Sequence, residues 1–185
     1  GLPVYLYIDH VYAAQMVADR GRVMHDLAGA IAASFAENLS ERQREIDLLA
    51  QTPLYQRESF DSPDFTASVE LLQKSYPHYS WIGVADTQGV VRASTGSLLV
   101  GQSVSQRPWF MHGKNRSFTG DLHEALLLSK LLSPSPMRGP VRFIDFAAPI
   151  RDEQGQLRGV LAAHAYWRWA GEVVRVMVPQ NAPEQ

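Results

Sequence analysis

The stretch Ser80-Trp81-Ile82-Gly83-Val84-Ala85-Asp86-Thr87-Gln88-Gly89-Val90-Val91-Arg92-Ala93-Ser94 decides the fold class. Ser80–Ala85 is a short, mainly apolar run, Asp86–Gly89 is a turn sequence closing on glycine, and Val90–Ser94 is a return strand. Two such runs joined by a tight turn make an antiparallel hairpin. A second hairpin follows the same grammar, with Val141–Ile150 as a strand, Arg151–Gly155 as the turn and Gln156–Tyr166 as the last strand. Between the hairpins, Gly96 and Gly101 mark a loop and Ser105–His112 a short helix, while four prolines and glycines make Ser133–Pro140 a second loop. Asp121–Leu132 stays open between strand and helix, because its apolar run Ala125–Leu128 is too short for periodicity to decide.

Upstream of the hairpins the periodicity is helical. Asp9–Leu49 contains no proline, and Pro53 supplies the stop. Met24, Leu27, Ile31, Phe35, Leu39, Arg42, Ile46 and Leu49 recur at steps of three and four, and all but Arg42 are apolar. This predicts one continuous buried stripe, with Glu37, Glu41, Arg44, Glu45 and Asp47 facing water. A helix of about 40 residues runs roughly 60 Å, so one end must extend beyond a small core or pack on another copy. Gly21 and Gly29 are its weakest points. A second helix starts at Ser62 as N-cap with Pro63 and Asp64 in the first turn, buries Phe65, Val69, Leu72 and Tyr76, and ends before Pro77. Trp167–Met177 reads as a final helix and Val178–Gln185 as a polar tail. Antiparallel hairpins with the early helices packed on one face give an α+β domain bearing a long helical stalk. The organisation is a stalk over residues 1–53, a core over 54–177 and a tail over 178–185.

Composition excludes several function classes. Seventeen basic against 19 acidic side chains, scattered along 185 residues, supply no electrostatic footprint for nucleic acid. The absence of cysteine removes disulfides, thiolate-held metals and thiol nucleophiles, and fits an oxidising compartment. No apolar run approaches the roughly 18–20 residues that span a bilayer, so the chain reads as a soluble piece. Gly96–Ser103 nearly matches a phosphate loop, but Gln102 stands where the lysine must be, which leaves a plain loop. His123-Glu124 lacks the second histidine of a zinc helix, since Leu127 occupies that position. The six histidines show no ligand spacing, and no G-x-S-x-G elbow is present. No catalytic residue, metal or cofactor is expected.

Three features carry chemistry. Arg107-Pro108-Trp109-Phe110 sets a permanent cation beside large aromatic side chains, a pair able to fork a carboxylate and cover its apolar part. Gly120-Asp121-Leu122-His123-Glu124 concentrates polar groups, although Asp121 equally suits a helix N-cap. On the last two strands, Phe143, Asp145 and Ala147 share one face, and Val160, Ala162, His164 and Tyr166 share another. Asp145 within an apolar strand is either a ligand contact or the partner of Arg107 or Arg142. A lone strand histidine such as His164 is more often hydrogen-bonded in a core than bound to metal.

Taken in order, these segments resemble a known family. A long N-terminal helix is followed by Trp81-Ile82-Gly83-Val84-Ala85-Asp86-x-x-Gly89 and then Arg107-Pro108-Trp109-Phe110. Ala148-Pro149-Ile150-Arg151-Asp152-x-x-Gly155-x-x-x-Gly159-Val160-Leu161 completes a pattern that resembles the Cache sensor domains. With Gly120–Ala125 and Trp167-x-Trp169, the chain is similar, over roughly residues 10–177, to the variant common in bacterial membrane proteins with a diguanylate cyclase output. The resemblance implies a PAS-like antiparallel sheet in the periplasm, of single-Cache layout, tethered by flanking transmembrane helices outside this chain. It implies a small-molecule ligand, an amino acid, carboxylate or similar metabolite, and a homodimer formed through the N-terminal helix. In amino-acid-binding members an Arg-x-Trp-Tyr/Phe segment holds the ligand carboxylate, and Arg107, Trp109 and Phe110 match it. Gln102 stands where those members have a tyrosine, Phe110 lacks a phenol hydroxyl, and Asp121 and Asp145 both qualify as the acid for a ligand's amino group. The candidate ligand-binding set is therefore Arg107, Trp109, Phe110, Asp121, His123, Asp145 and His164. The output is equally open to a chemoreceptor or histidine kinase. Two other readings are a non-sensing dimerisation module and a hydrolase using Asp121, His123 and Glu124.

Overall fold

The sheet runs through β2 (Val91–Ser94), β1 (Tyr79–Asp86), β5 (Leu157–Tyr166), β4 (Phe143–Arg151) and β3 (Phe118–Thr119) in that order, antiparallel at every pairing, with the last described strand in the middle. The computed structural model describes residues 2–122 and 142–167, with backbone alone for 2–11, 13 and 14. The helices are α1 (Leu2–Ala50), α2 (Pro53–Arg57), α3 (Pro63–Ser75) and α4 (Pro108–Gly113). The chain divides into two units, and the larger, Leu39–Gly171, holds the sheet.

Both hairpins form where the turn residues place them. Asp86 Oδ1 accepts from the backbone N–H groups of Gln88 and Val90 at 2.9 and 3.0 Å, and Gly89 turns the chain at φ 79°. Asp152 repeats the device with Gln154 and Gln156, and Gly155 takes the same left-handed conformation. α3 begins as its sequence predicts, with Ser62 Oγ accepting from Phe65 N–H at 3.1 Å and Pro63 in the first turn. The ambiguous Asp121–Leu132 segment and the Ser133–Pro140 loop fall largely outside the described residues, and the Trp167–Met177 helix falls outside them beyond Trp167.

Side chains from the two faces of the sheet build two separate cores. On one face, Ile82, Val84, Phe146, Ile150 and Leu161 meet Ile46 of α1, Tyr55 of α2 and Phe65 and Val69 of α3. The early helices thus pack on one face, as expected. On the other, Trp81, Ala85, Val160, Ala162 and Ala147 meet Trp109 and Phe110 of α4. Tyr79 joins the first core and Trp81 the second, although two residues apart on one strand should share a face. A register shift against β5 between Tyr79 and Trp81 resolves this, because the extra residue reverses the alternation.

α1 runs unbroken for 49 residues, through Gly21 and Gly29, at both of which an added Cβ would meet open space. Its apolar stripe is not buried throughout, which corrects the expectation. Ile46 is buried and Leu39 and Leu49 pack against the first core, but Met24 is 67% exposed and Leu27, Ile31 and Phe35 are half-buried. The buried stretch is the part that belongs to the unit holding the sheet.

Candidate functional site

The α4 face of the sheet collects most of the chemistry that the sequence singles out. α4 lies close on β4 and β5 because the contact is built from small groups. A Cβ at Gly113 would come within 2.9 Å of both Ala147 Cβ and Val160 Cγ1. That approach drives Trp109 and Phe110 into the second core, where both are buried with their rings edge to face.

Trp81 floors this region. Its indole lies over Gly83, where any side chain would collide with the ring. Trp81 Nε1–H donates to the Leu98 carbonyl at 3.2 Å, and Ser94 Oγ–H donates to the same oxygen at 2.5 Å. The glycine-rich stretch that nearly matches a phosphate loop therefore caps the indole. It contains a short 3-10 turn at Thr95–Ser97 and left-handed Gly96, Ser97, Leu99 and Gly101.

Asp145 on β4 and His164 on β5 are cross-strand neighbours, and Asp145 Oδ1 is hydrogen-bonded to His164 Nδ1. They are 5% and 6% exposed, so each supplies the other with the partner that burial demands. The imidazole also packs against Trp81, with ring centroids 4.9 Å apart, and lies 6.3 Å from Trp109. The sequence leaves Asp145 open between a ligand contact and a pairing with Arg107 or Arg142. Among the described residues it pairs with His164, set opposite it by a register that periodicity alone does not reveal.

Arg107 sits at the N-cap of α4, with its carbonyl accepting from the N–H groups of Phe110 and Met111 at 3.0 Å. Its side chain is exposed, and among the described residues its guanidinium has neither an ion pair nor a hydrogen bond. Asp121 is exposed beyond β3, where Gly120 N–H donates to the Asp145 carbonyl at 2.7 Å. His123 lies outside the described residues. The structure therefore brings Trp109, Phe110, Asp145 and His164 to one face, with Arg107 on the adjoining helix end. Trp81 was missed as a site residue. The signal was Gly83, two positions along on the same strand face.

Elsewhere, a groove is lined by Ser59, Phe60, Asp61, Asp86, Arg92 and Arg158. Its cations are already committed. Arg92 forks Asp61 at 3.0 and 2.5 Å and thereby holds that carboxyl below its ordinary range. Arg158 donates to the carbonyls of Tyr55 and Glu58 at 2.6 and 2.7 Å while lying over the Phe60 ring. These contacts tie β2 and β5 to the segment between α2 and α3.

No protein-family model matches the sequence, and no curated protein matches it. Solved structures do match. The sensor domain of the Vibrio cholerae histidine kinase DctB superposes with a TM-score of 0.63 at 12% identity, over 85% of this chain and 58% of that one. The ligand-binding domain of the Pseudomonas aeruginosa PAO1 amino acid chemoreceptor PctC, solved with GABA, gives 0.63 at 14% identity, over 82% of this chain and 63% of that one. The Escherichia coli DcuS sensor domain gives 0.53 at 16% identity, over 75% of this chain and 96% of that one. The fold is that of a Cache, PAS-like sensor domain. The chain spans less than two thirds of the DctB and PctC structures and nearly all of the DcuS one. In this Cache fold the long helix leads into the five-stranded sheet, and α4 with the Arg107–Phe110 segment covers the face opposite α1–α3.

Proposed function

We propose that this chain is the extracytoplasmic sensor domain of a bacterial membrane signalling protein, and that it binds a small polar metabolite beside α4. The observation that carries this reading is Arg107. Its exposed guanidinium, without a partner among the described residues, stands at the start of the helix that lays Trp109 and Phe110 on the sheet. A cation at the edge of an aromatic surface, backed by the polar Asp145–His164 pair, suits a ligand with a carboxylate and an apolar or second polar part. Asp121 or Asp145 would receive a cationic end, with His123 and His164 as further contacts. The resemblance of the sequence points to a diguanylate cyclase as the output, and the solved structures of similar fold belong to kinases and chemoreceptors, so those are the alternatives. Homodimerisation through the N-terminal helix would give ligand binding a route to the membrane, provided the ligand prefers one arrangement of the helices over another.

A second reading has its own observation. Trp81, Trp109, Phe110 and His164 bury one another, as in a sheet face kept for stability in a module that only dimerises. A thermal-shift screen against amino acids, organic acids, amines and nucleobases separates the two. A ligand at 100 times its dissociation constant adds about 2.7 kcal/mol, which for a chain of this size raises the melting point by about 5–11 °C. The sensor reading expects such a shift within the panel, and a flat response throughout favours the module.

A further inference from the structure

Away from the α4 face, the polar residue in the apolar stripe of α1 enters a half-buried network. Arg42 Nη1 donates to Glu45 Oε1 at 2.8 Å and lies 3.1 Å from His78 Nε2. An arginine has no acceptor and does not lose its proton in proteins. Nε2 must therefore accept, which makes the imidazole neutral with its proton on Nδ1. Glu45 Oε2 accepts from Tyr79 O–H at 2.9 Å and stands 4.0 Å from His78 Nε2, while Glu41 stands 4.0 Å from Arg42. The His78 ring packs 4.2 Å from that of Tyr79 and 5.8 Å from that of Tyr76 at the end of α3. From β5, Tyr166 N–H donates to the His78 carbonyl at 3.0 Å. Among the described residues, the titratable groups around His78 are thus Glu41, Arg42 and Glu45 on α1, Tyr76 after α3, Tyr79 on β1 and Tyr166 on β5.

We propose that Arg42, Glu45 and His78 form a proton-operated latch between the end of α1 and the sheet, so that the domain responds to acid as well as to a ligand. A proton on Nε2 sets two cationic donors against each other and ends the Arg42–His78 hydrogen bond. Two carboxylates are placed to receive the separated charges. The imidazolium takes Glu45, and Arg42 turns outward to Glu41. This exchange gives up the Arg42–His78 hydrogen bond that joins α1 to the segment before β1 and defines the opened arrangement, in which the imidazolium and Arg42 each face a carboxylate. The extracytoplasmic placement proposed above would expose the latch to the pH of the medium, but the exchange itself depends on no ligand.

Burial, and secondarily the Arg42 charge, depress the His78 pKa from the ordinary 6.5 to about 4. The folded state therefore refuses a proton that the unfolded or opened state accepts. The contribution to stability is complete above about 6.5 and is lost as pH falls towards 4, with the opening equilibrium rising by up to about tenfold per pH unit in that window.

The test needs only the protein and acid. Ring-nitrogen NMR of the wild type should show His78 as the Nδ1–H tautomer, protonating near 4. Arg42→Gln should raise that midpoint by about one pH unit. Amide exchange over residues 39–50, corrected for its intrinsic pH dependence, should accelerate between pH 6.5 and 4 in the wild type. His78→Gln, which keeps an acceptor for Arg42 but cannot titrate, should lose that acceleration. A wild-type midpoint near 6.5, an Nε2–H tautomer, or an unchanged acid response in His78→Gln overturns the latch. The first two are read without any variant. A failed ligand screen leaves all three readouts intact.

Discussion

Trp81→Ala is expected to destabilise the domain by about 3–5 kcal/mol, within the range for emptying a buried tryptophan site. The indole is fully buried, and its collapse has nowhere to go. Gly83 beneath it has no side chain to fill the space, and Trp109 and His164 above it are held by α4 and by Asp145. The loss extends to the loop after β2, because the Leu98 carbonyl surrenders one of its two donors. Trp81→Phe retains most of the packing and loses the N–H donor, so its expected cost is smaller, about 1–2 kcal/mol. Urea denaturation followed by circular dichroism measures both. A cost below 1 kcal/mol for Trp81→Ala would show that the indole is not the floor of this face.

The second large effect concerns the Asp145–His164 pair. Removing either member leaves the other polar group buried, and breaking a buried pair typically costs about 3–5 kcal/mol. His164→Leu is expected in that range because it removes the cross-strand partner of a carboxylate that stays buried between β4 and β5. Asp145→Leu takes the same hydrogen bond from a buried imidazole, a less costly group to bury than a carboxylate, and should cost less. The double variant Asp145→Leu/His164→Leu removes both members of the buried pair together and should cost clearly less than the sum of the single changes. Additive costs would mean that the two residues act independently, and the cross-strand pair would not be the organising contact of this face.

These two sites also mark where the sequence stops being readable. Caps and turns act within a few residues, so Ser62 at the start of α3 and Asp86 and Asp152 at the hairpins were legible. α2 spans five residues and β3 two, too short for any period to emerge. The junction of β1 with β5 depends on pairing across some 80 residues, and nothing local specifies it. A trace existed in Val160–Ala165, which is buried on both faces as a central strand must be. The same limit applies to the site. Alternation placed Asp145 and His164 on sheet faces, but only the register makes them partners. Trp109 and Phe110 were singled out by their position beside Arg107. Trp81 was hidden because its role depends on Trp109 of α4 and His164 of β5 packing against it, which nothing local to β1 specifies.

The most direct test of the account is a calorimetric titration of the strongest screening hit into the wild type and into Arg107→Ala. The Arg107 side chain is exposed and its guanidinium makes no ion pair or hydrogen bond among the described residues, so the variant should fold normally and melt within about 1 °C of the wild type. A charged hydrogen bond to the ligand is worth about 1.5–3 kcal/mol, so the account predicts affinity weakened by about 10- to 150-fold. Equal affinity in the two proteins would contradict it and remove the ligand from the α4 face.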